Sequence, residues 1–172
     1  MIRNSIFIIM MIFSFVLQTS VFKWIIPTGI VPNLLIIMVA SIGFMKGKYY
    51  GLFYGLLAGL MQDIFYGDIM GFYSLIYMYI GFANGFFERI FFTKDIKMPL
   101  IMFFISNLTY SIFVFVFKVL LTSNFNFLYY LTNIILPELI YTMLITMIVY
   151  PLILFVNHRL YVFEKGRRNK FV

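Results

Sequence analysis

Six apolar runs, at about residues 5–22, 31–45, 49–65, 71–87, 99–121 and 137–157, follow one another with only short polar or charged breaks between them. A helix of about 20 apolar residues matches the hydrocarbon thickness of a bilayer, so runs of this kind read as membrane spans. Of the 172 residues 63% are hydrophobic and only 11% charged, more apolar surface than a water-soluble domain of this size could hide. The expected fold is all-α: one polytopic domain over residues 1–172, built as a six-helix transmembrane bundle in the cell membrane.

The breaks define where the chain turns. Lys23, Trp24, Pro27, Gly29 and Pro32 form a turn-rich connection, with Trp24 suited to the headgroup layer. Pro32 fits the first turn of the second span, and Asn33 to Met45 is too short to cross without help. Lys46-Gly47-Lys48 closes that span, and Asp63 to Gly71 reads as a tight acidic turn. Glu88 to Met98 is a solvated loop by its charge density, and Pro99 opens the fifth span. Residues 122–136 read as a loop plus an interfacial segment; Pro137 then opens the sixth span, with Glu138 in its first turn and Pro151 placed to kink it. His158 to Val172 is a basic tail suited to anionic headgroups.

The net charge of +7 is a matter of topology. With the N-terminus inside, Arg3, Lys46, Lys48, Arg89, Lys94, Lys97 and the tail residues Arg159, Lys165, Arg167, Arg168 and Lys170 share the cytoplasmic side. Only Lys23 and Lys118 of the 13 basic residues fall outside, which orients the chain with both termini in the cytoplasm. Asp63, Asp68 and Glu138 gather on the external face. The basic excess therefore implies no nucleic-acid partner.

Within the third run every fourth residue is glycine or aspartate: Gly51, Gly55, Gly59, Asp63, then Gly67 and Gly71. Residues four apart share a helix face, so the glycines make a strip on which another helix can lie closely. Gly81 and Gly85 form a second, shorter strip. The ladder is either a docking face for a partner or an internal packing face of the bundle, and Asp63 needs the interface, a partner or a cavity. Asn107, Ser111 and Lys118 fall on one face of the fifth span, as a polar lining or as interhelical hydrogen-bonding groups.

No reacting constellation appears. Cysteine is absent, which removes thiol nucleophiles, disulfides and thiolate-held metal. The single histidine, His158, sits beside Arg159, away from the external carboxylates. There is no G-x-S-x-G, H-E-x-x-H or P-loop pattern, and Asp63 and Asp68 share one turn where an intramembrane aspartyl dyad needs two helices. The expectation is a protein that is not an enzyme, with no cofactor, metal or catalytic residue.

Pro32-Asn33-Leu34-Leu35, Lys46 to Tyr50, the run Gly51 to Asp63, then Gly67, Gly71, Pro137 and the tail from Arg159 to Lys170 together resemble the rod shape-determining MreD family over most of the chain. Asp68 departs from the small and apolar turn expected there. The resemblance implies a non-enzymatic membrane component of the bacterial cell-elongation machinery, with MreC as direct partner and MreB, RodA and a penicillin-binding synthase of peptidoglycan in the same complex. It also implies partner or packing roles for Gly51, Gly55, Gly59, Asp63, Gly67 and Gly71, and structural roles for Pro32, Asn33, Pro137 and Pro151. The family is further similar to the six-helix substrate-binding subunits of energy-coupling-factor vitamin transporters, which supplies an alternative function.

Overall fold

A computed structural model describes residues 2–25, 30–67, 69–88, 97–122 and 127–168. Asp68, the charged stretch 89–96, the Lys118 side chain and the end of the basic tail lie outside the described residues. Among those described, every regular element is a helix. Helix α1 (Ile2–Val16) runs on through a π-helical turn (Leu17–Val21) into Phe22–Ile25. It is followed by α2 (Leu34–Lys46), α3 (Lys48–Tyr66), α4 (Phe72–Gly85), α5 (Lys97–Thr122) and α6 (Leu136–Arg168).

Three stretches are long and apolar enough to cross a membrane: Arg3–Val21, Met98–Phe117 and Leu128–Phe163. Their outward faces carry Ile9, Phe13, Ile101, Ile148, Leu152 and Phe155, all exposed, while Ser41, Asn107, Thr142 and Thr146 are buried. Apolar outside and polar inside is the distribution expected where lipid is the solvent.

Helix α2 is the centre of the bundle. It is apolar on every face, so it can be buried on every face, and it touches all five other helices. At 13 residues it is about 20 Å long, well short of the roughly 30 Å hydrocarbon layer. The help it needs comes from enclosure: Leu35, Ile36, Ile37, Val39, Ala40 and Ile42 are fully shielded. Its lower end is fixed by Lys46, whose Nζ donates to Asn4 Oδ1 at 2.6 Å and lies 4.4 Å from the centre of the Phe7 ring. Gly47 alone connects α2 to α3, at φ +88°, a conformation that side chains disfavour.

Helices α3 and α4 form the closest pair. A Cβ built at Gly51 would strike the Gly81 carbonyl, at Gly55 the Tyr77 carbonyl, at Gly59 the Ser74 backbone, and at Gly85 the Lys48 backbone. Each four-residue step up α3 is matched by a step of three or four back along α4, so the two strips face each other. The strip Gly51, Gly55 and Gly59 therefore lies against α4 of the same chain, while Gly67 meets the Asp63 backbone and Gly71 lies in open space.

Some boundaries differ from the sequence expectation. Asn33 takes the N-cap of α2, which leaves Pro32 one residue before the helix and not within its first turn. Much of the segment expected to be loop and interfacial is helical: Phe127–Tyr130 and a π turn, Leu131–Ile135, lead without a break into α6. Pro137 thus sits inside a continuous helix rather than opening one. The π turn just before it already shifts the backbone pairing, with Leu136 N–H bonded to Leu131 O, so the missing proline donor falls where the ladder is irregular. The α-helix continues through Pro151.

Replacing Gly55 or Gly59 by leucine is expected to leave membrane insertion intact but to separate α3 from α4, costing about 1–3 kcal/mol for overpacking and more where backbone must move. Denaturant unfolding of the purified protein in mild detergent checks this; an unchanged midpoint would contradict the close contact.

Candidate functional site

Asp63 stands at the top of the glycine strip, 2% exposed. Its Oδ1 accepts the Tyr73 N–H at 2.9 Å and its Oδ2 the Ser74 N–H at 3.0 Å, with the Ser74 hydroxyl donating as well. These amides belong to the first turn of α4, where a helix leaves its donors unpaired. The N-cap position is held by Gly71, which has no side chain to offer and sits at φ +98°. A carboxylate from α3 therefore caps α4 across the helix pair, and the partial positive charge of the helix end favours it. Gly67 ends α3 directly against the Asp63 backbone, its N–H bonded to Asp63 O at 3.0 Å. In place of an external acid, Asp63 is an internal clasp.

A second polar group surrounds the start of α2. Asn33 Oδ1 accepts the Ile36 N–H at 3.1 Å and the Tyr77 hydroxyl at 2.8 Å. The Asn33 N–H donates to Thr142 Oγ1 at 3.0 Å, and the Leu35 N–H to Gln18 Oε1 at 3.4 Å. Helices α1, α4 and α6 each contribute one side chain to the end of α2. The π turn Leu17–Val21 includes Gln18, which is buried although its neighbours Thr19 and Ser20 are not. Beside this hub lies a cavity of about 450 Å³, lined by Gln18, Asn33, Tyr110, Tyr129, Asn133 and Glu138 together with Ile30, Val31 and Ile134.

Asn107 and Ser111 are buried on α5 facing the bundle interior, and their side-chain polar atoms have no partner among the described residues. The Phe103 and Tyr150 rings meet at 5.1 Å across α5 and α6. Counting along the antiparallel helices from that contact puts Asn107 level with Thr146 and Ser111 level with Thr142. Both threonine hydroxyls donate to carbonyls one turn back, Glu138 O and Thr142 O.

Helices α4 and α5 diverge enough to leave a groove of about 360 Å³ on the lateral surface. Its walls are apolar, with Ile76, Tyr79, Ile80 and Ala83 on one side and Met102, Ile105 and Phe113 on the other. At its base Asn84 is 4% exposed and donates to Ile80 O at 2.8 Å and Ser106 Oγ at 2.7 Å. The Asn84 Oδ1 is buried and has no partner among the described residues.

The rod shape-determining protein MreD family model matches residues 1–159. The chain belongs to the MreD family. No curated protein and no solved structure gives a significant match. In this chain Gly51, Gly55, Gly59 and Asp63 serve one internal helix pair, and Asn33 caps the buried helix. The match ends at Arg159, so most of the basic tail lies beyond it. Sequence reasoning missed Gln18, Tyr77, Thr142 and Asn84 as organising residues; for Gln18 the available signal was a lone amide inside an apolar run.

Asp63→Asn should cost about 1–3 kcal/mol by weakening the charged clasp, and Asn33→Ala about 1 kcal/mol for the lost cap. Asn33→Ala and Tyr77→Phe should be non-additive in a double-mutant cycle, because each removes the same bond. Thermal unfolding in detergent measures all four; strict additivity would show that the hydroxyl bonds elsewhere.

Proposed function

We propose that this chain is a non-enzymatic scaffold of the cell-elongation machinery, held in the cell membrane with both termini cytoplasmic, that binds MreC and helps to organise peptidoglycan synthesis. Family membership gives the coarse role of a rod shape-determining membrane component. Support for the orientation comes from Arg3, Lys46, Lys48 and Arg159: contacts of Asn4 with Lys46 and Tyr54, and of Phe103 with Phe44 and Tyr150, gather that end of the bundle.

The observation that carries the docking assignment is the groove between α4 and α5. The glycine strip is occupied internally, whereas this groove faces outward and holds one buried acceptor, Asn84 Oδ1, with no donor among the described residues. A lipid chain would fill the apolar walls and leave that oxygen unpaired. The MreC membrane helix, carrying a hydroxyl or amide donor at the level of Asn84, would satisfy both. MreB, RodA and the penicillin-binding synthase would join through the same assembly.

Affinity purification of the tagged chain from its native membrane tests this reading. Recovery of MreC with the wild type, reduced at least about tenfold by Asn84→Leu or by Ala83→Trp in the groove, is the expected result, with the thermal midpoint unchanged in the exposed-site variant Ala83→Trp. MreC recovery unaffected by both variants would move the docking face elsewhere. Recovery of transporter ATPase subunits without MreC would overturn the scaffold role in favour of a vitamin-binding subunit.

A further inference from the structure

The cavity beside the start of α2 is not used by the scaffold reading and does not depend on it. It lies at the end of the bundle away from Asn4, Lys46 and Arg159, since its lining comes from the top of α1, the segment before α2 and the start of α6. At about 450 Å³ it falls within the range of small-molecule sites. Its lining is not the apolar wall of a lipid-filled crevice: two carboxamides at its sides, Gln18 and Asn133, one carboxylate, Glu138, and two phenols, Tyr110 and Tyr129, converge there.

These groups are part committed and part available. Gln18 uses its oxygen for the Leu35 amide and still carries an NH2 group; Asn133 uses its NH2 on Tyr129 O and still carries a carbonyl oxygen. Asn33, its Oδ1 engaged by Ile36 and Tyr77 and its backbone N–H by Thr142, forms the floor and still carries an NH2 group. A ligand that only donates or only accepts would leave part of this lining unmet. Hydroxyl groups on adjacent ring carbons both donate and accept, and planar carboxamides and carboxylates can engage two of them together. The tyrosine rings supply flat apolar faces for the C–H surface of a sugar ring.

We propose that this cavity binds a hexose ring, either free or as the head of a lipid in that leaflet. The assignment needs no particular ionic partner for Glu138, since hydroxyl donors bond to a carboxylate that is also paired.

The test uses the full chain in nanodiscs made of phospholipid alone. Thermal unfolding is followed with glucose, N-acetylglucosamine, octyl β-D-glucoside below its micelle threshold, and sugar-free octyl tetraethylene glycol as control. A saturable rise in Tm with a free sugar assigns a soluble ligand; a rise with octyl glucoside beyond that of the control, and with neither free sugar, assigns a glycolipid head. In either case Glu138→Gln and Asn133→Leu should lower the apparent affinity at least about tenfold, with the exposed-site variant Asn133→Leu leaving the ligand-free Tm in place. The proposal is overturned by no saturable rise with any sugar probe, by a rise equal to the control's, or by affinity undiminished in both variants.

Discussion

A helix enclosed by a bundle must have its terminal amides met by side chains or leave them unpaired, at a cost of several kcal/mol where lipid is the solvent. Helix α2 is in that position, and much of the architecture follows from it. Asn33 meets one amide itself, Gln18 meets another from α1, and Thr142 takes the Asn33 N–H from α6. Tyr77 from α4 then donates to the same Asn33 oxygen. Three neighbouring helices are thus fixed in rotation and height by the needs of one short helix. The other end is closed by a charge in an aromatic cage, Lys46 against Phe7.

The same rule explains α4. Its N-cap is glycine because the chain must turn through a left-handed conformation there, and glycine cannot cap. Asp63 does so from α3, and it can reach only because Gly55 and Gly59 let the two backbones approach. Strip and carboxylate form one device: the glycines set the distance and the acid satisfies what that distance encloses. Buried in this way, a carboxylate that costs energy alone becomes a specific pin for the helix pair.

This division marks what the sequence reveals. The four-residue spacing of Gly51, Gly55, Gly59 and Asp63 is visible as a helix face, and Asn33 beside Pro32 is visible as a helix start. Which helix lies on that face is a matter of long-range packing that local periodicity does not encode. The π turns are harder still, because inserting one residue into a helix leaves no mark in composition. They nonetheless accompany burial of Gln18 and allow Pro137 to lie within a continuous helix, where proline would ordinarily be read as a helix start. A buried amide such as Asn84 is legible as a polar residue, but whether its oxygen has a partner depends on α5, more than twenty residues away.

The outward surface divides by the same accounting. Where the bundle has met its own polar groups, at α2 and at the Asp63 clasp, nothing remains to draw in another molecule. At Asn84 under the lateral groove a geometric concavity coincides with a buried oxygen that has no partner among the described residues, and at the cavity by Gln18 a concavity coincides with a polar lining. Lipid can fill shape but not valence. A partner or ligand with hydrogen-bonding groups gains an advantage over lipid at those two places that it would not have elsewhere on an apolar surface. That advantage is specific because the rest of the surface offers lipid and protein much the same contact.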